Sequence, residues 1–176
     1  MPENPPGTRG LVRDPALAPL SRDHHAALVH AQALRRAGDR VAPQDGHGAP
    51  ARVGHAFLAF HQNELLGHMA DEEEVLLPRG GSADPEGAER IRAEHAELNA
   101  LVFKLGDALV SGDGLRPLLK EIGVLLDDHV HFEERAFFMA VQAMLTPPAM
   151  GALGRALYER RSARGAGAAC APRARR

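Results

Sequence analysis

His68-Met69-Ala70-Asp71-Glu72-Glu73 and His129-Val130-His131-Phe132-Glu133-Glu134 decide how this 176-residue sequence is read. In each stretch a histidine precedes a glutamate by four positions, and side chains four apart on a helix are neighbours on one face, about 5–6 Å apart at Cβ. Both can then reach one metal centre. With ten histidines and thirteen glutamates in the chain, chance yields roughly 0.7 such pairs, so one alone would carry little weight. Two carry more, because they occupy equivalent places in a repeat: Arg22-Asp23-His24 precedes the first and Ala93-Glu94-His95 the second. Each half reads acid–His, then His-x-x-x-Glu-Glu. His24 and His68 are 44 residues apart, His95 and His129 only 34. The excess falls in Ala42-Pro43-Gln44-Asp45-Gly46-His47-Gly48-Ala49-Pro50, which has the turn chemistry of a loop. A duplicated helical hairpin accounts for this pattern.

Helical spacing continues on both sides of the motifs. Ser21 is the expected N-cap of a first helix carrying Ala27, Leu28, Ala31 and Leu34 and stopping at Gly38. A second starts near Ala51, carries Phe57, Leu58, Leu65, Met69, Val75 and Leu76, and ends by Pro78-Arg79-Gly80-Gly81. Ser82 or Asp84 caps a third, with Pro85 in its first turn, Ile91, Leu98, Leu101, Val102 and Leu105 on one face, and Gly112-Asp113-Gly114 at its end. The fourth spans Leu115 to Leu145 and stops before Pro147-Pro148, which open a shorter fifth helix holding Met150, Leu153 and Leu157. No segment shows a period of two, and valine, isoleucine and aromatics are sparse. The expected fold is therefore all-α: an up-down-up-down four-helix bundle over residues 21–146 with a short additional C-terminal helix at 147–163. An irregular Pro/Gly-rich arm is expected at 1–20 and a disordered basic tail at 164–176.

A composition of 44% hydrophobic and 25% charged residues suits a globular protein with a packed core. The 21 basic and 23 acidic residues leave a net charge of −2, so overall charge draws the chain neither to nucleic acid nor to an anionic membrane. Arg155, Arg160, Arg161, Arg164, Arg173, Arg175 and Arg176 gather near the C-terminus against Glu159 alone, and are expected to be a solvated basic face rather than a nucleic-acid contact. Cys170, the single cysteine, excludes an intramolecular disulfide and any multi-cysteine zinc or iron–sulfur site, which leaves nitrogen and oxygen ligands. Met1-Pro2-Glu3-Asn4-Pro5-Pro6-Gly7 lacks the pattern of a signal peptide, and no apolar run is long enough to span a bilayer. A cytoplasmic location without membrane contact is expected.

Helical phase aims the motif residues inward. His68 shares a stripe with Leu65, Glu72 and Val75, His129 with Leu125, Leu126, Phe132 and Glu133, and His95 with Ile91, Leu98, Val102 and Leu105. His24 leads into Ala27, Leu28, Ala31 and Leu34, whereas His25 leads into Leu28, Val29, Gln32 and Arg35. His24 is the better core position and His25 the alternative. In an antiparallel bundle the first halves of helices one and three meet the second halves of helices two and four, so four imidazoles and two carboxylates fall in one core layer. Left unpaired, they would cost several kcal/mol. A dinuclear metal centre compensates them.

Asp23-His24-His25, then His68 through Glu72-Glu73-Glu74-Val75-Leu76-Leu77-Pro78, then Glu94-His95, and finally His129 through Glu133-Glu134-Arg135 resemble the ordered motifs of the hemerythrin-like, or HHE cation-binding, family. The resemblance implies a four-helix bundle with a non-haem di-iron centre, in which His24, His68, His95 and His129 are nitrogen ligands and Glu72 and Glu133 bridging carboxylates. Oxygen-carrying members have a second histidine one turn after the first on the third helix. Here that position is Asn99. Four histidines, two bridging carboxylates and one solvent bridge fill about ten of the twelve positions of two octahedral ions. The open positions favour reaction with oxygen, peroxide or nitric oxide over protected oxygen carriage.

Two iron ions are thus the expected cofactor, with manganese or zinc as the other ions such donors accept. A small diatomic or peroxide ligand and a redox partner are the expected partners, and no side chain is assigned as catalytic because the metal carries the chemistry. Iron storage, sensing or delivery without turnover, and a zinc-stabilised helical interaction module, are the competing readings. His61 lies two helical turns, roughly 10 Å, before His68 and is expected in the core or behind the ligands. Glu73 or Glu134 can orient a ligand histidine through its other ring nitrogen, or else belong to a solvated face. His131 is expected to be solvated, His30, His47 and His55 to lie at the surface or in loops, and Tyr158 to pack in the core. Leu11, Val12 and Leu17 are expected to cap the open end of the bundle.

Overall fold

Glycine and proline breaks divide the residues described by the computed structural model, 13–39 and 48–169, into five helices. Helix α1 is Ala18–Asp39, α2 covers 48–80, α3 is Pro85–Ser111, α4 covers 115–144 and α5 is Pro147–Ala169. A 3₁₀ turn, Gly81–Ala83, joins α2 to α3. Asp84 caps α3 by accepting a hydrogen bond from the Gly87 amide at 2.9 Å. Gly112 and Gly114 take φ of 82° and 65° in the turn into α4, a region that side chains with a Cβ disfavour. No strand occurs among the described residues.

The main boundary differences are at α1, α2 and α5. Helix α1 begins three residues before Ser21, since Asp14 closes a turn at 15–17: its carboxylate accepts from the Ala16 amide and its carbonyl from Leu17 and Ala18. The arm is therefore structured where it reaches the bundle, and Leu17 is fully buried. Helix α2 starts at Gly48 rather than Ala51. Helix α5 continues to Ala169 instead of ending at 163, because its arginines have partners on the bundle. The expectations for Leu11, Val12, His47, Cys170, Arg173, Arg175 and Arg176 lie outside the described residues.

Pairing is antiparallel throughout the bundle. On the α1–α4 seam, Gly38 faces Lys120, Gly123 faces Ala31 and Arg35, and His24 faces Glu133. The backbones approach so closely that a Cβ on Gly123 would lie 2.7 Å from the Ala31 carbonyl oxygen. Gly123→Ala is therefore expected to destabilise by about 1–3 kcal/mol through forced separation of the two helices. Gly106→Ala on α3, where a Cβ meets nothing within 4 Å, should instead stabilise by about 0.5–1 kcal/mol. Thermal melts of both variants check the contrast, and equal effects would refute it.

The apolar core comes in two parts. One contains Ala27, Leu34, Phe57, Leu65, Leu98, Leu105, Leu119, Ile122, Leu126 and Val130. The other contains Leu17, Leu20, Val75, Leu76, Ile91, Phe137, Phe138 and Val141, with Met150, Leu153 and Leu157 of α5 packed onto it. On every bundle helix a polar interval separates them: His24 on α1, His68 and Glu72 on α2, His95 on α3, His129 and Glu133 on α4. All six side chains are buried.

Candidate metal centre

The six predicted side chains meet in that interval. His24 Nε2 lies 3.1 Å from His68 Nε2 and 3.0 Å from a Glu133 oxygen. Glu72 turns one oxygen to His68 Nε2 at 3.1 Å and the other to His95 Nε2 at 3.3 Å. His129 Nε2 is 3.6 Å from Glu133. Two ligand groups result, His24–His68–Glu72–Glu133 and Glu72–His95–His129–Glu133, each with its donor atoms within 4.8 Å of one another. Both carboxylates belong to both groups. The imidazole pairs have nearly the same shape, with ring centroids 4.8 Å apart at 71° for His24–His68 and 4.9 Å at 62° for His95–His129. His25 is exposed, which resolves the choice between the neighbouring histidines in favour of His24 as the core position.

Each imidazole is held from behind by a carboxylate. His24 Nδ1 donates to Glu134 at 2.7 Å, His68 Nδ1 to Asp23 at 3.1 Å, His95 Nδ1 to Glu73 at 2.8 Å and His129 Nδ1 to Glu94 at 2.8 Å. A carboxylate only accepts, so the outer nitrogen carries the proton and the inner one, in the neutral ring, presents a lone pair to the centre. His68 and His129 take their acid from the residue before the histidine of their own hairpin. His24 and His95 take theirs from the residue after the glutamate of the other hairpin. Glu73 and Glu134 thus both orient an imidazole, and Asp23 and Glu94 do the same. The orienting role of Asp23 and Glu94 is not among the sequence expectations; their place beside a histidine in each repeat was the available signal, without the helix across which each acid reaches.

A metal fits this geometry. Both oxygens of Glu72, both of Glu133 and Nε2 of His95 are buried with no hydrogen-bond partner. The short approaches to imidazoles lack hydrogen-bond alignment, so these atoms point at shared space rather than at one another. Two inner lone pairs facing each other at 3.1 Å, beside a carboxylate, require positive charge between them. In the metal-free protein protons supply it. Burial pulls the pKa of His24, His68 and His95 down, but the facing carboxylates more than offset this and raise all three, His68 to about 9. Burial likewise pushes Glu72 up, and the surrounding imidazoles bring it well below the ordinary carboxylate range.

Local helix geometry aims the glutamates. At 72–76 and again at 133–137 the helix widens into a π-turn, with Leu77 N–H bonding the Glu72 carbonyl and Phe138 N–H the Glu133 carbonyl. The inserted residue rotates the chain beyond it, so consecutive side chains are buried: Val75, Leu76 and Leu77 on α2, Phe137 and Phe138 on α4. A regular helix cannot bury three residues in a row on one face. That apolar triplet and the Phe pair were the available signal. A third π-turn, His61–Leu65, carries His61, which is buried and donates from Nε2 to the Asn99 side-chain oxygen at 2.8 Å. Neither residue joins the two ligand groups.

The other polar expectations divide. His55 is exposed and His30 half-buried against Phe60, with ring centroids 4.3 Å apart. His131 bonds the Asp127 carbonyl with its side chain 37% exposed. Tyr158 is 72% exposed and packs in no core, contrary to expectation. Arg160, Arg161 and Arg164 are not a solvated basic face either. All three converge on Asp71, which is fully buried between His68 and Glu72 in sequence. A cavity of about 190 Å³ opens beside them onto His68, lined also by Asp23, Asn63, Glu64 and Gly67.

Fold and site together define an antiparallel helical bundle with a buried imidazole–carboxylate cluster able to hold a metal in its core. The family model of the hemerythrin HHE cation binding domain matches residues 16–141, and the chain belongs to that family. No curated protein and no solved structure matches the chain.

Proposed function

We propose that the protein holds two non-haem iron ions and binds or reduces a small oxidant, namely oxygen, peroxide or nitric oxide, drawing electrons from a redox partner in the cytoplasm. The observation that carries this reading is the sharing of Glu72 and Glu133 between two imidazole pairs, with both buried carboxylates otherwise unpartnered. His24 and His68 would hold one ion, His95 and His129 the other, and the two glutamates would bridge. Iron so bound supplies Lewis acidity and one-electron redox chemistry. The chain contributes order and dryness: four outer carboxylates fix the imidazole tautomers, and apolar residues on both sides of the layer limit water. The cavity at His68 offers a small oxidant an approach. Among the described residues no helix is long and apolar enough to cross a membrane.

Asn99, bonded to His61, adds no imidazole to either group, which supports reactivity at an open position over protected carriage. Zinc is the rival ion, since two nitrogens and two carboxylate oxygens also suit a tetrahedral site. Anaerobic loading of the full chain with ferrous iron, followed by metal analysis and ultraviolet–visible spectra before and after azide or peroxide, tests the reading. Two irons per chain, new absorption on adding azide and catalytic consumption of peroxide are expected. Zinc in the natively purified protein with no peroxide consumption would reject it, and iron release without turnover would favour storage or delivery.

A further inference from the structure

The two ligand groups are alike in their inner atoms and unlike in what stands behind them. His24 and His68 rest on Glu134 and Asp23, and each of those acids is clasped by an arginine from outside the four bundle helices. Arg161 of α5 bonds Asp23 through its terminal nitrogen at 2.6 Å, on the same oxygen that accepts from His68. Its Nε pairs with buried Asp71 at 2.8 Å. Arg13, in the segment before α1, is ion-paired with the Glu134 carboxylate, donates to the Glu134 carbonyl at 2.8 Å and lies 5.0 Å from the Phe138 ring centroid. Among the described residues, no arginine from outside the four bundle helices stands behind His95 or His129. Glu73 is 43% exposed and bonds His95. Among the described residues, the cation bracing Glu94 is Arg90, one turn earlier on its own helix.

We propose that Arg161 and Arg13 are positioning residues for one metal position alone, that of His24 and His68, so that docking of α5 and of the segment before α1 sets the affinity of that position and not of its neighbour. The inference rests on the paired-metal reading above. Its physical basis is order. Asp23, 40% exposed on its side chain, has water as an alternative partner, and the guanidinium keeps it against His68 so that Nε2 stays aimed inward. Outer partners of this kind are typically worth about 10–100-fold in metal affinity. Because binding is reciprocal, an ion at His24 and His68 should in turn hold α5 in place.

Cobalt(II) titration of the metal-free full chain by calorimetry tests this. Wild type should take two equivalents. R161Q and R13Q should each weaken one equivalent about tenfold or more and leave the other within about twofold. E73Q should weaken the remaining one, and R161Q/E73Q both. R164Q removes a different α5 bond to Asp71 while leaving the Arg161–Asp23 contact, so both equivalents should persist. Because R13Q alters a separate segment from R161Q, failure of one variant to fold leaves the other decisive. Two wild-type equivalents that R161Q and R13Q leave unchanged, or weaken equally, would overturn the inference alone, as would an R164Q effect equal to that of R161Q. A wild type that binds fewer than two ions would overturn the paired-metal reading as well.

Discussion

Glu133→Gln is expected to leave the bundle folded and to lower metal content from two ions per chain to at most one, with affinity for the pair falling by more than about 100-fold. The amide keeps the volume of the side chain, so no cavity opens in a layer that is otherwise close-packed. What it removes is the negative charge common to both ligand groups. The neutral amide is less costly to bury than the carboxylate, but it no longer faces protonated His24 as the carboxylate does at 3.0 Å, so the metal-free variant should melt somewhat below metal-free wild type. The larger loss should appear on adding metal. Metal analysis, together with melts of loaded and unloaded protein, measures both quantities, and a variant still holding two ions would remove Glu133 from the site. Glu72→Gln should behave in the same way, since each of its oxygens faces a different imidazole group.

The second large effect is on stability and its dependence on pH. An ion at 100 times its dissociation constant stabilises the native state by about 2.7 kcal/mol, and two ions by about twice that. For a chain of this length chelation should therefore lower the melting temperature by roughly 10–20 °C. Protons and metal compete for the same inner nitrogens. His68, raised to about 9 in the metal-free protein by Glu72 and Asp23 against the pull of burial, must lose its proton to coordinate. Apparent affinity should accordingly climb about tenfold per pH unit for each proton displaced, and level off above about pH 9. The metal-free protein moves the other way. A histidine whose pKa is higher folded than unfolded contributes stability in full below about 6.5, the unfolded value, and loses it as pH rises through about 9. The gap between loaded and unloaded melting temperatures should widen from pH 6.5 to 9. A gap that narrows over that range would contradict the assignment of these imidazoles.

How much of this was legible in the sequence follows from the range of each interaction. The six inner side chains could be read because each sits in phase with apolar neighbours a turn away, as His95 does with Ile91 and Leu98. The tautomer-setting acids were half legible. Asp23 and Glu94 stand beside a histidine in sequence, yet each serves another histidine, on the next helix, and helix rotation decides which. The π-turns were hidden because a regular period was carried through Val75-Leu76-Leu77 and Phe137-Phe138. The arginines of α5 looked solvated because nothing in their own segment pairs with them. Asp71, the buried partner of Arg160, lies 89 residues earlier, inside the motif that was read for its histidine and glutamate alone. Tyr158 stands off the apolar stripe of its helix, which runs through Met150, Leu153 and Leu157, and so it is exposed rather than packed in the core.

The matching π-turns at Glu72 and Glu133 also follow the internal repeat. Each amounts to one extra residue threaded into a helix, at the same point of each half. Each hairpin supplies both imidazoles of its own group, while both glutamates are shared and half of the outer acids come from the opposite hairpin. Neither half can therefore complete a ligand group alone, which ties metal capture to the docking of one hairpin on the other.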